Sequence, residues 1–287
     1  MTRRSLPFRL IRGALVALAA AYVLIVVALW YWQASFIFLP DPGISHTPGE
    51  SGVKFDKVSL AIGSDRVTGW WVPSDDPRAK TLLYLHGNAA NVGANADHIL
   101  RLRSAGLNVL IIDYRGYGES TGGPPRESLV YEDAERAWTY LTTERHIAPA
   151  AIVIYGHSLG GAVAIELARR HPDAGGMITE DTFTSVADIA HRTRYAYIPV
   201  RLILTERFDS ISKIGSVRVP KLILHGEADT MTPLDMARQL YAAAPEPKQI
   251  AFIPGGGHQD SAEVNPTAYF AALKGFLARY GLTPDAN

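Results

Sequence analysis

The sequence predicts an α/β protein: a mostly parallel sheet with helices on both faces, a small helical lid and an N-terminal transmembrane helix. Three observations predict it. From about residue 80 onward, short apolar runs of strand length alternate with longer helical segments. Ahead of them, residues 13–32 form an almost wholly apolar stretch. Within the alternation, Ala151-Ile152-Val153-Ile154-Tyr155 runs into Gly156-His157-Ser158-Leu159-Gly160 and then into a helical run, which reads as strand, sharp turn and helix.

The first twelve residues carry Arg3, Arg4, Arg9 and Arg12, and no further charge follows until Asp41. Residues 13–32 are long enough as a helix to span about 30 Å, the thickness of a bilayer core. Trp30, Tyr31 and Trp32 form an aromatic belt at the far end. A cleaved signal peptide would have a shorter apolar region and a small-x-small cleavage site, and Ala34-Ser35 lacks the partner for one. A retained single-pass anchor is therefore expected. Its arginines stay in the cytoplasm, which places the remainder on the outer side of the membrane.

A linker follows over 33–54, with Pro and Gly concentrated after Asp41. The folded domain is expected over 55–282. Strands near 55–62 and 67–72 make an antiparallel start. Strands at 80–85, 107–112, 151–155, 176–180, 219–224 and 248–253 then alternate with helices at 93–105, 127–143, 158–170, 233–243 and 266–280. The connection over 182–217 is longer than a normal one, and Tyr195 to Leu204 gives it apolar and aromatic character. It reads as the lid.

The strand–turn–helix around Ser158 lifts a serine hydroxyl clear of its backbone, with small glycines on either side. The bare G-x-S-x-G pattern is weak: Gly118-Glu119-Ser120-Thr121-Gly122 matches it too. Gly122-Gly123-Pro124-Pro125 cannot open a helix, so Ser120 reads as a polar loop residue.

A serine nucleophile needs a histidine to take its proton and a carboxylate to orient that histidine. Of the four histidines after Ser158, His258 follows a short apolar strand and the loop Gly255-Gly256-Gly257, where an imidazole can reach the serine. His171 reads as a helix C-terminal residue, His191 as solvated, and His225 as a packing residue. Asp229, after the strand that ends near Leu224 and before a helix opened by Pro233, is the expected acid. Glu227 is two residues away and competes with it. Glu180 and Asp181 follow the preceding strand; Asp181 reads as a helix cap for residues 182–185. The oxyanion that forms on attack needs two backbone donors. Leu159 and Asn88 are expected to supply them, with Ala89 the alternative to Asn88 and Gly87 permitting an unusual turn before it.

Lys plus Arg and Asp plus Glu both number 28, so no nucleic-acid footprint appears. The absence of cysteine removes disulfides, thiolate zinc sites and cysteine catalysis. No metal-ligand spacing and no phosphate-binding glycine loop is found, so no cofactor or metal is expected.

Several segments together carry a family resemblance. They are Leu85-His86-Gly87-Asn88-Ala89, Asp113-Tyr114-Arg115-Gly116-Tyr117-Gly118-Glu119-Ser120, Tyr155-Gly156-His157-Ser158-Leu159-Gly160-Gly161-Ala162, Glu180-Asp181-Thr182-Phe183-Thr184-Ser185 and Gly256-Gly257-His258-Gln259-Asp260. In these the chain resembles the membrane-anchored α/β-hydrolase-domain serine hydrolases, a group similar to lysophospholipid and monoacylglycerol lipases and protein depalmitoylases. The resemblance covers roughly residues 30–280. It implies an α/β-hydrolase fold, a nucleophile, acid and base at Ser158, Asp229 and His258, and a structural loop around Ser120. Gln259 stands where many relatives have Asn. The function so implied is cleavage of acyl or lipid-type carboxylic esters through a Ser-His-Asp acyl-enzyme. The substrate would be a small-molecule or lipid ester, and the partner the membrane. A peptidase or amidase on the same triad, or a catalytically silent anchored scaffold, are the alternatives.

Overall fold

The structure, a computed structural model, describes residues 6–193 and 195–283. Arg3 and Arg4 of the expected basic segment lie outside the described residues. An antiparallel hairpin of β1 (Asp56–Ile62) and β2 (Asp65–Val72) starts the sheet. It continues with β3 (Thr81–Leu85), β4 (Asn108–Ile112), β5 (Ile152–His157), β6 (Gly176–Glu180), β7 (Lys221–Gly226) and β8 (Lys248–Ile253). The strands lie in the order β8-β7-β6-β5-β3-β4-β2-β1, and all neighbours from β4 to β8 run parallel. β3, β5, β6 and β7 are buried at every residue, which is why they read as continuous apolar runs without alternation.

Helices cover both faces. On one face α3 (Glu127–Thr139), α4 (Leu159–Arg170) and α8 (Leu234–Ala243) bury Val130, Trp138, Val163, Leu167 and Leu240. On the other, α2 (Ala96–Ser104) and α10 (Pro266–Arg279) bury Ile99, Leu102, Leu273 and Phe276. A further single turn, α9 (Ser261–Val264), precedes α10. Between β6 and β7, in the stretch expected to form the lid, the described residues include three short helices, α5 (Val186–His191), α6 (Val200–Ile203) and α7 (Ser210–Ile214).

Asp181 does not cap a helix. Residues 182–185 are not helical, and α5 starts at Val186, capped by Ser185, whose Oγ accepts from the Asp188 N–H. Asp181 instead turns back under β7, at φ 49°, and accepts the Gly226 N–H at 2.7 Å.

The N-terminal helix α1 (Leu6–Ile37) is long and apolar enough to cross a membrane. It does not stop at the aromatic belt but continues to Ile37, so the expected linker begins inside it. Phe38 then plunges into the core, and Leu39–Pro40 pairs in parallel with Ala89–Ala90, directly after Asn88.

Candidate active site

Four parallel strands end at one edge of the sheet, and each hands over a residue there. Ser158 follows β5, Asp229 follows β7, His258 follows β8, and Asn88 follows β3. Ser158 is forced to φ 53°, ψ −119°, a strained conformation for any residue with a side chain. The turn is held closed by close approaches. A Cβ on Gly156 would lie 2.1 Å from the Gly160 carbonyl oxygen, and one on Gly160 would lie 2.0 Å from that of Leu85. The Ser158 N–H is tied to the Glu180 carbonyl, and Thr182 Oγ1 donates to the Ser158 carbonyl at 2.8 Å.

His258 Nε2 lies 2.9 Å from Ser158 Oγ, and its Nδ1 lies 2.7 Å from Asp229 Oδ2. With Nδ1–H donating to the carboxylate, Nε2 is left free to accept from the serine hydroxyl. Asp229 is further held by the N–H groups of Met231 and Thr232 on Oδ1 and by Thr232 Oγ1 on Oδ2, at 2.7, 2.9 and 2.5 Å. Burial alone would raise its pKa, but the hydrogen bonds from His258 and Thr232 outweigh it and draw the carboxyl down to about 2. Among the competing acids, Glu227 is exposed. Asp181 is fully buried against β7, its carboxyl pushed well up by burial and by the neighbouring Glu180 charge. Glu180 is taken by Tyr155 and by His98, 3.2 Å away.

Asn88 and Leu159 line the cleft at Ser158, and among the described residues neither N–H has an acceptor in the protein. Gly87 is not at a positive φ; the left-handed residue of this loop is Ala90, at φ 63°. A Cβ at Gly87 would merely touch Ser158 and His157 at 3.5 Å, so the expected backbone reason for glycine there does not hold.

Two clefts meet at Ser158. One, of about 160 Å³, is apolar, walled by Phe36, Ile37, Leu159, Phe183, Val186 and Ile189. The other, of about 360 Å³, is polar and presents Asn95, Asp97, His98, Arg101, Gln259 and Glu263.

Residues 76–208 match the family described as serine aminopeptidase, S33. An uncharacterised protein of Mycobacterium tuberculosis is 34% identical over 268 residues, covering 92% of this chain and 93% of that protein. Protein bem46 of Schizosaccharomyces pombe is 32% identical over 250 residues, 84% of this chain and 82% of its own. The α/β-hydrolase domain-containing protein WAV2 of Arabidopsis thaliana is 28% identical over 280 residues, 89% and 90% of the two chains. The chain belongs to the α/β-hydrolase family.

The esterase Pf2001 of Pyrococcus furiosus superposes on this hydrolase with a TM-score of 0.71 at 20% identity, over 85% of this chain and 98% of that one. That likeness is one of fold.

The hydrolase also uses residues that the sequence did not single out. His157 Nε2 donates to the His258 carbonyl at 2.7 Å, pinning the loop that carries the imidazole. Burial lowers the His157 pKa to about 4, so it holds this bond as a neutral ring. Thr232 braces Asp229, as described. Its only sequence signal is its place three residues after the acid, in the loop that opens α8. Asp181, His225 and Asp229 bring ligand-type atoms within 4.8 Å of one another, the one such grouping among the described residues. Asp229 is already bonded to His258 and Thr232, and His225 Nε2 donates to the Thr232 carbonyl at 2.6 Å, so these groups serve the loop.

Proposed function

We propose that this hydrolase is a membrane-anchored serine esterase that cleaves acyl esters of lipid type. The observation that carries the reading is the unbroken run of hydrogen bonds from Ser158 through His258 to Asp229, placed where an apolar and a polar cleft meet.

In this mechanism Ser158 Oγ attacks the ester carbonyl carbon while His258 Nε2 takes its proton. Asp229 holds the imidazole in the required tautomer and stabilises the imidazolium. The carbonyl oxygen becomes an oxyanion facing the N–H groups of Asn88 and Leu159, the latter at a helix N-terminus. Collapse breaks the carbon–oxygen bond, and His258 returns the proton to the leaving alcohol. Water, deprotonated by the same imidazole, then attacks the acyl-enzyme and releases the acid. The apolar cleft suits the acyl group, the polar cleft the leaving group.

The helix α1 is read as a retained anchor with its N-terminus in the cytoplasm. Cleavage near Ser35 would leave Phe36 and Ile37 as a loose new end of the chain, yet both wall the apolar cleft. Carbonate washing should leave the protein in the membrane, and protease added to spheroplasts should digest the folded domain. Release by carbonate, or protection from protease, overturns this placement.

The same triad cleaves amides, and the matching family model is described as an aminopeptidase. The decisive test is kcat/KM of the purified full-length protein for p-nitrophenyl esters of increasing chain length against aminoacyl and peptide amides. Faster amide turnover would replace the ester reading. No turnover, together with no labelling by a fluorophosphonate, would leave a silent scaffold.

A further inference from the structure

The apolar cleft does not end at the protein surface. It shares Phe36, Ile37, Val186 and Ile189 with a second apolar groove of about 200 Å³, between the last turns of α1 and the lid. Leu29 forms one wall of this groove, and Val200 and Ile203 the other. Gln33 is the polar side chain that α1 contributes here. Its Oε1 accepts the Thr205 N–H at 2.7 Å and its Nε2 donates to the Trp30 carbonyl at 2.7 Å, so its polar atoms are engaged. A continuous apolar path therefore runs from Ser158 to the flank of the membrane helix.

The far end of the lid keeps to the same helix. Tyr22 Oη donates to the Tyr197 carbonyl at 3.0 Å. Tyr22 and Gln33 are about 16 Å apart along the axis, comparable with the depth of one leaflet's hydrocarbon, about 15 Å. Tyr197 and Leu202 of the lid are 91% and 85% exposed. Such apolar exposure is unfavourable in water and favourable in hydrocarbon. Arg201, between them in the lid, has its charge paired with Asp188 at 2.7 Å. The groove mouth thus faces sideways along α1.

We propose that this groove is a lateral port for one acyl chain of an outer-leaflet lipid ester, so that the membrane anchor is itself a wall of the substrate site. The proposal rests on the esterase reading above and adds the substrate class: a long-chain ester whose polar leaving group occupies the opposite cleft. The chain slides between α1 and the lid from the bilayer, and the ester carbonyl arrives at Ser158 without crossing water.

The test uses the full-length protein in phosphatidylcholine vesicles and a hexadecyl fluorophosphonate carrying a terminal diazirine. The phosphonate marks Ser158, and illumination then marks whatever the chain touches. Cross-links to the peptide containing Leu29 and Phe36, or to that containing Val200 and Ile203, are expected. A labelled Ser158 with cross-links confined to other segments overturns the port while leaving the esterase intact. Cross-links joining two copies through α1 identify a second copy as the occupant and also overturn it. No labelling of Ser158 removes the esterase reading, and the port with it.

Leu29→Trp and Val200→Trp fill the groove from opposite walls, so that failure of one variant to fold does not remove the test. Burial of each methylene is worth roughly fourfold in affinity, so excluding two or more should lower the palmitate-to-acetate ratio of kcat/KM by at least about tenfold. An unchanged ratio in both variants overturns the proposal.

Discussion

The chain contains the pattern G-x-S-x-G twice, and the two copies fold for different physical reasons. In Gly156-His157-Ser158-Leu159-Gly160 the serine carries the strain, at φ 53°, and the glycines are required for space. In Gly118-Glu119-Ser120-Thr121-Gly122 the glycines carry the unusual backbone, at φ 49° and 111°, and the serine does not. Ser158 Oγ points at an imidazole. Ser120 Oγ donates to the Asp113 carbonyl at 2.8 Å and accepts the Thr68 N–H at 2.9 Å, which ties its loop to the end of β4 and to β2. A serine whose hydroxyl is spent on backbone cannot also be activated. The context, strand before and helix after, separates the two copies where the letters do not.

The largest effect tests that separation directly. Ser158→Ala should abolish fluorophosphonate labelling and lower kcat by roughly 10⁶-fold, while Ser120→Ala should label as wild type. Labelling that survives Ser158→Ala would exchange the roles. Next in size, Asp229→Asn should lower kcat by about 10⁴-fold, because an amide at that position favours the wrong imidazole tautomer. Asp181→Asn, at a buried carboxyl already pushed towards its neutral form, should show no such loss. A comparable loss in Asp181→Asn alone would move the orienting role to Asp181.

Much of this was legible in the sequence because the signals are local. Buried parallel strands are unbroken apolar runs, and each of Ser158, Asp229 and His258 sits just past one, so sharing a sheet edge follows from sharing a topology. What was not legible depends on partners distant in sequence. Asp181 looks like a cap beside Thr182, and only the packing of β6 on β7 shows that it serves Gly226. Trp30-Tyr31-Trp32 looks like the end of a membrane helix. Gln33 continues it because its amide meets lid backbone at Ile203, Thr205 and Glu206. Gly87 invited a backbone explanation that belongs to Ala90.

A smaller effect concerns the second serine. Ser120→Ala should destabilise the fold by about 1–3 kcal/mol, since it leaves the Thr68 N–H without its acceptor, with kcat/KM changed less than about twofold. Thermal melting and an ester assay on one preparation separate the two quantities. A large loss of activity at unchanged stability would contradict the structural role.

An effect seen only as a dependence on pH lies beneath the same loop. Asp113 accepts the Val92 N–H at 2.8 Å, and its Oδ1 lies 3.5 Å from His86 Nε2. Burial pushes the Asp113 carboxyl up to about 7 from its usual 3.8 and pulls His86 down to about 4 from 6.5. Each shift alone would tilt stability with pH. The raised carboxyl stabilises the fold below about pH 4, and that contribution is lost as pH rises towards 7. The depressed imidazole stabilises it above about pH 6.5, and that contribution is lost as pH falls towards 4. Between about pH 4 and 6.5 the folded state gains one proton at Asp113 and releases one at His86, so the two slopes oppose each other. Asp113→Asn removes one of them and keeps an acceptor for Val92. The variant should therefore lose stability on acidification from about pH 6.5 to 4 more steeply than wild type, by up to about 1.4 kcal/mol per pH unit. Denaturant midpoints at a series of pH values measure the difference. Parallel profiles for the two proteins would mean that the buried pair does not exchange its proton on folding in this way.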